Sequence, residues 1–341
     1  ERNYEYAARA YHILTAYNLK LCSFQNAELC GRKALAYYDR VGASGEARRD
    51  VLRNMAVSEM LRNRSEEAHR LVSSINEVEG RNDGVYREAL GETLLLEGKY
   101  GEALDALRLA GGGDETEFER SSLFIRTRVN AERCDYAGVL EDSEGYLASG
   151  SSNAVELSQI YSYRAVALRA GGAPPERVSA VLRQAEFASF RIANDLDRLD
   201  ALRTVTEAHL ILGNYEQAER HAREGITIGL RHSGYYPTFS LLVMAAELSM
   251  RQDRREEARF FIEEASFYVS LMPRLRGRDV GAYWFLRWCI GLEDAGALQR
   301  ARELIALEAE AIGEQQFVTA FLKQRSFALI EEGGEKPRRC P

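Results

Sequence analysis

The hydrophobic positions of this chain recur at helical spacing and are interrupted at regular intervals by a glycine or a short polar break. In the clearest stretch Leu90 and Leu94 share one helical stripe, Gly98 breaks it, and Leu104 and Leu107 resume it beyond Lys99-Tyr100-Gly101-Glu102-Ala103. A second stretch sets Leu202, Val205, Ala208 and Leu212 ahead of Gly213-Asn214-Tyr215-Glu216-Gln217-Ala218, with Ala222 following. Both carry glycine, tyrosine and alanine at the same offsets. The glycine suits a tight helix-to-helix turn. The tyrosines, Tyr100 and Tyr215, are expected to wedge between the paired helices, and the alanines, Ala103 and Ala218, to let them approach closely.

With the alanine as an anchor, weaker copies emerge along the whole chain, at Ala27, Ala68, Val139, Val178, Ala258 and Ala301. The anchors lie 35 to 43 residues apart. This periodicity predicts an all-α chain of about eight helical hairpins, spanning about 4–42, 43–80, 83–112, 114–150, 153–194, 195–233, 236–272 and 275–313. A capping helix is predicted over 315–331, with Phe317, Ala320, Phe321, Gln324 and Ala328 on one face, because a stack of hairpins needs a terminal element with a polar outer side. Residues 1–331 are thus expected to form a single solenoid, and the polar tail 332–341 to be disordered.

The repeat resembles the tetratricopeptide repeat, whose pattern carries Leu-Gly, a turn, an alanine and a later large apolar residue. Its average period here is about 39, against 34 for the standard unit. The resemblance implies a right-handed superhelix whose first helices line a concave, ligand-holding groove. Repeats lengthened in this way are similar to those in the sensor regions of bacterial regulators, such as the maltose-activator type of signal-transduction ATPase and the peptide-binding quorum-sensing regulators. That likeness implies a protein- or peptide-binding module, the ligand-sensing region of a bacterial regulator. A constitutive assembly scaffold of the secretion or pilus type is the rival reading, and a hydrolase built on helical repeats a remote one. The carboxylate clamp of chaperone-binding tetratricopeptide proteins is not matched. Asn54 is present, but His12, Ala16, Val85 and Ala89 stand where that clamp needs other residues.

Composition narrows the partners. A net charge of −7 argues against direct nucleic-acid binding and against adhesion to anionic membranes. No apolar run approaches the roughly 18 residues of a membrane span. Only six prolines occur, which suits long helices, and five scattered cysteines do not suit a secreted disulfide framework. Of the 45 basic residues all but those at 20, 33, 99, 323 and 336 are arginine, a skew that fits a GC-rich bacterial coding sequence. A cytoplasmic location is expected. The opening Glu1-Arg2-Asn3-Tyr4 has neither a methionine nor a signal core, so the chain is expected to be part of a longer protein.

Candidate chemistry is sparse. Gly98-Lys99-Tyr100 lacks the spacing and the hydroxyl of a phosphate-binding loop, and the five histidines include no paired zinc signature on one helix. Cys22 and Cys30 have no histidine pair nearby, Cys289 takes a small-residue core position, and His209 and His221 are expected to pack on the shared face of one repeat. No catalytic residue, metal or cofactor is therefore expected, and the purified chain should hold no stoichiometric zinc and bind no ATP.

What remains is the groove. Residues 15, 11 and 8 positions before each anchor share one helical face, since gaps of four and three are helical neighbours. That face presents Arg53, Glu88, Glu92, Phe124, Arg128, Arg203, Glu207 and Glu247, with Arg169 reached after a longer turn and Asn54 beside Arg53. Arg53 and Arg128 flank Glu88 and Glu92. They form either a cross-repeat ion-pair ladder that fixes groove shape, or a grip for a ligand carboxylate or peptide backbone, with Phe124 for an apolar side chain. Glu207 and Glu247 hold the same rank in consecutive repeats, only partly offset by Arg203 and Arg251. They read as a solvated acidic wall or as a socket for a basic peptide.

Overall fold

The structure, a computed structural model, describes residues 2–21, 23–42, 45–62, 64–79, 84–108, 116–232, 236–271, 278–292 and 295–324. The expectations for Cys22, for the cap beyond residue 324 and for the tail 332–341 lie outside them. The described residues are almost all helical apart from short turns, with no strand among them. Seventeen helices follow in order: α1 (Arg2–Lys20), α2 (Phe24–Val41), α3 (Gly45–Leu61), α4 (Ser65–Glu79), α5 (Gly84–Leu96), α6 (Tyr100–Arg108), α7 (Thr116–Arg133), α8 (Tyr136–Ala148), α9 (Ala154–Ala170), α10 (Pro175–Phe190), α11 (Asp195–Ile211), α12 (Tyr215–His232), α13 (Tyr236–Arg251), α14 (Arg255–Leu271), α15 (Arg278–Cys289), α16 (Ala295–Ile312) and α17 (Gln315–Leu322). They form the eight expected hairpins and a final single helix. No helix among them is long and apolar enough to cross a membrane.

The turns explain the period. At Gly213 (φ +77°) the backbone is left-handed, its N–H meets Leu210 O at 3.2 Å, and the N–H of Asn214 meets His209 O at 2.9 Å. This closure satisfies the last carbonyls of α11 and starts α12 at once. Gly98 repeats it at φ +75°, with Gly98 N–H on Leu95 O and Lys99 N–H on Leu94 O. Cys134 (φ +60°) and Asp253 (φ +61°) hold the same left-handed position without being glycine, with the same two hydrogen bonds behind them. The turn geometry of the repeat thus persists where the glycine signal is missing from the sequence.

All eight anchors are buried, from Ala27, Ala68, Ala103, Ala218, Ala258 and Ala301 to Val139 and Val178. Ala218 has no exposed surface, so Ala218→Leu should overpack the α11–α12 contact and lower stability by about 1–3 kcal/mol, measured by denaturant unfolding. Tyr100 is buried between its helices as expected, but Tyr215 is not a wedge. Its ring lies 5.3 Å from the Arg251 guanidinium at the end of α13, and Arg251 Nη1 donates to its hydroxyl at 3.2 Å. The partner from the next hairpin draws this tyrosine to the surface.

The chain divides into two compact units, Glu1–Val129 and Asn130–Pro341. In the first, α1, α3 and α5 pack in succession, each against its own second helix. Its core joins Ala8, Ala34, Tyr38, Val51 and Met55 to a neighbouring cluster around Leu52, Ala68, Val72 and Ile75. In the second, α9, α11, α13 and α15 pack in succession, with α10, α12, α14 and α16 behind them. Helix α13 is buried from Thr238 to Met250, so it runs through the interior of this unit, its polar residues included. Within the described residues α17 runs from Gln315 to Leu322. Lys323 caps it, and the chain then turns so that Gln324 bonds to residues of the α7–α8 turn.

Candidate functional site

Succession of first helices places one row of side chains on a common face in each unit. In the first unit that row holds a tight ionic cluster. Arg53 on α3 donates from Nε to Glu92 Oε2 at 2.8 Å and from Nη2 to Glu92 Oε1 at 3.1 Å, a two-pronged grip on one carboxylate. Its Nη1 reaches Glu88 Oε2 at 3.3 Å. Arg128 on α7 lies 3.9 Å from Glu92 and stacks over the Phe124 ring at 5.7 Å. Asn54 is half-buried next to Arg53. Five of the expected residues are thus brought together, in the arrangement of an ion-pair ladder.

The electrostatics of that ladder follow from one strong cation facing two buried carboxyls. Burial pushes the Glu92 carboxyl upward, but the Arg53 guanidinium outweighs it and holds the group below the ordinary carboxylate value. Glu88, with a weaker share of Arg53 and Glu92 as a like-charged neighbour, is pushed up to about 7, chiefly by burial. A raised carboxyl stabilises the fold fully below about 4.5, and that contribution is lost as pH rises through about 7.

The second unit carries a larger network, centred on an arginine that the sequence frame did not select. Arg278, in the first turn of α15, is 8% exposed. Its Nη2 donates to Glu132 Oε2 at 2.7 Å and to the Glu132 carbonyl at 3.2 Å, while Nη1 donates to Gln324 Oε1 at 2.8 Å and lies 3.4 Å from Glu207 Oε1. The Gln324 amide in turn donates to Tyr136 Oη at 2.9 Å and Cys134 Sγ at 3.2 Å. Arg203 lies 3.6 Å from Glu207 and 3.5 Å from Asp200, and Gln159 donates to Asp200 at 2.6 Å. Beside them Ser240 and Tyr236 both donate to Asp279, at 2.5 and 3.2 Å. Arg278 lies 23 residues before Ala301, outside the helical ranks 15, 11 and 8 positions before the anchor, so no spacing in the sequence points to it.

Above Arg278 a cavity opens, about 410 Å³ counting the part open to solvent. Its lining is apolar at Ala131, Val139, Val166, Ala208 and Ile211, and polar at Glu132, Tyr136, Ser162, Tyr163, Thr204, Glu207, Arg278 and Gln324. Burial raises the Glu207 carboxyl. Arg278 and Arg203 pull it down, Asp279 and Glu132 push it up again, and it stays above the ordinary value. Burial also pushes the Cys134 thiol up to about 11 and the Tyr136 hydroxyl up to about 12, so both stay protonated at neutral pH.

The acidic wall expected from Glu207 and Glu247 does not form. Glu247 is 2% exposed on the interior helix α13, and Arg251 one turn on donates to it at 2.9 Å. Glu207 is buried between Arg278 at 3.4 Å and Arg203 at 3.6 Å rather than standing in solvent. Arg169 sits exposed at the end of α9, apart from the cavity-lining residues. His209 and His221 do share one face, with rings stacked 5.4 Å apart, but both also converge on Glu186.

No protein-family model and no curated protein matches the sequence. Among solved structures, a Rap protein complexed with competence and sporulation factor matches with a TM-score of 0.57 at 11% identity, over 96% of this chain and 98% of that one. The apo form of RapI matches with a TM-score of 0.48 at 12% identity, over 96% and 94% of the two chains. The apo form of the quorum sensor NprR from B. thuringiensis matches with a TM-score of 0.45 at 12% identity, over 92% and 97%. At such identities the likeness is one of fold. The chain has a tetratricopeptide-like fold of helical hairpins, the fold of the Rap structure.

Proposed function

We propose that this chain is a non-catalytic peptide- or protein-binding module, the ligand-sensing region of a bacterial regulator acting in the cytoplasm. Its ligand seats in the cavity of the second unit. The observation that carries this reading is the cavity itself, lined mostly by first helices, with apolar side chains and hydrogen-bonding side chains both in its lining. That combination suits a peptide, whose side chain fills the apolar part while its backbone amides meet Tyr163, Thr204 and the Glu207 carboxyl. The similar Rap protein is solved in complex with competence and sporulation factor, which supports a ligand-binding role for a fold of this kind. The Arg53–Glu92 cluster is the weaker site, because its guanidinium is already held by two carboxyls of its own unit.

Phage-displayed short linear peptides selected against the purified chain test the proposal. Selection should enrich a consensus, and calorimetry with the matching synthetic peptide should show at least a tenfold weaker affinity for Val166→Phe, which fills the cavity without touching its charges. Failure to enrich any sequence, or equal affinity in the cavity-filled variant at unchanged stability, would move the function elsewhere.

A further inference from the structure

Away from the cavity, three helices of the second unit bring two imidazoles and a carboxylate to one point. Glu186 projects from α10, His209 from the last turn of α11 and His221 from α12. Glu186 Oε1 lies 3.1 Å from His209 Nε2 and 3.2 Å from His221 Nε2, and all three atoms are within 4.8 Å of one another. Tetrahedral zinc with bonds of about 2.0–2.1 Å sets neighbouring ligand atoms about 3.3 Å apart, which the two carboxylate-to-imidazole distances already match, while the two imidazole nitrogens lie within 4.8 Å of each other. Both rings are more than nine-tenths buried, which fixes their direction, while the Glu186 side chain is 26% exposed and leaves an open side.

We propose that Glu186, His209 and His221 form a divalent transition-metal site of the two-histidine, one-carboxylate kind, best suited to zinc, with water from the open side as the fourth ligand. Imidazole and carboxylate donors of this number favour zinc, or cobalt as its substitute, over magnesium or calcium. The ligands lie 23 and 12 residues apart, on three helices. Sequence spacing therefore gave no zinc signature, and the expectation of a metal-free chain rested on spacing alone.

Two features bound the affinity. The Nδ1 atoms of both histidines are buried without a hydrogen-bond partner, so the outer groups that normally orient metal-bound imidazoles are missing. Arg220 places its Nη2 3.7 Å from Glu186 Oε1 and 3.5 Å from His221 Nε2, a positive charge beside the proposed ion. Its side chain is 63% exposed and free to swing outward, so it competes with the metal without blocking it. Affinity in the micromolar range is expected rather than that of a structural zinc.

The test uses the full chain, stripped of metal by chelator and titrated with Zn²⁺ by calorimetry and with Co²⁺ by visible absorption. One equivalent should bind, with the d–d bands of four-coordinate cobalt. His209→Gln and His221→Gln should each weaken binding at least tenfold. Arg220→Ala, a surface change outside the ligands, should tighten it several-fold and serves as the check if a histidine variant fails to fold. Absence of stoichiometric binding would overturn the site and leave the three residues as a buried ion pair. Undiminished binding in folded His209→Gln and His221→Gln, or unchanged affinity in Arg220→Ala, would also overturn it, since the ion would then lie elsewhere, with the cysteines first in line. None of these outcomes depends on whether a peptide occupies the cavity.

Discussion

Arg278→Ala should lower the free energy of unfolding by about 3–5 kcal/mol at pH 7, the largest loss expected from any single side chain in the second unit. The guanidinium is buried and is shared among the Glu132 carboxylate, the Glu132 carbonyl, Gln324 and Glu207. Removing it takes the nearer cation from Glu207, which keeps only Arg203 at 3.6 Å, leaves the Gln324 amide oxygen without its donor, and leaves the partly exposed Glu132 to solvent, so most of the desolvation cost falls on Glu207 and Gln324. It also removes the cation that faces the Phe321 ring at 5.8 Å, loosening the cap. Arg278→Lys should recover part of the loss, because an ammonium restores the charge but cannot span these acceptors as a planar fork does. Urea unfolding of the three proteins at one pH decides the matter. A loss below about 1 kcal/mol for Arg278→Ala would mean that solvent, not this arginine, satisfies Glu132 and Glu207.

Arg53→Ala should cost the first unit about 2–4 kcal/mol at neutral pH. The figure is set below that for Arg278 because the Arg53 side chain is 31% exposed, and Arg128 remains 3.9 Å from Glu92 to take up part of the charge. The pH dependence separates a lost ion pair from lost packing. Glu92 has its protonation depressed in the native state, so the stability it contributes is present above about 4.5 and fades as pH falls through its native value. Without Arg53 that contribution disappears, and the deficit of the variant should therefore shrink at pH below about 4.5. A deficit that stays constant from pH 8 to pH 4 would assign the loss to the buried stem of the arginine instead.

The repeat was legible because its determinants are local. An anchor residue must be small wherever two helices cross, and a left-handed residue follows six of the first helices among the described residues, so both leave marks at fixed offsets. Even there a tertiary partner could prevail, as Arg251 does in drawing Tyr215 outward. The Arg53–Glu92 cluster was legible for a related reason, since its members occupy the same rank in successive hairpins. The second network was not. Arg278 meets Glu132 across 146 residues, and Gln324 meets Cys134 across 190, distances over which helical periodicity carries no information. Glu247 misled for the converse reason. Its rank was read correctly, but nothing in the spacing says that α13 is covered on all sides. Glu186 lies outside every rank, so the histidines alone suggested packing.

The contacts of Gln324 bear on how the second unit comes apart. A stack of hairpins in which each touches only its neighbours unfolds by peeling, and the terminal hairpin frays first. Here Gln324, just after the cap, bonds to Cys134 and Tyr136 near the start of the unit, and Arg278 on the last hairpin holds Glu132 at its start. Losing the last hairpin therefore breaks hydrogen bonds at the first, and the ends are energetically tied. The unit should behave as one cooperative block with a single unfolding transition. Its folding should be slower than the neighbour-only contacts of a repeat would give, since ordering these long loops precedes the reward of closing them. Amide exchange would show this as equal protection free energies in α9 and α15, with no gradient toward the carboxyl end.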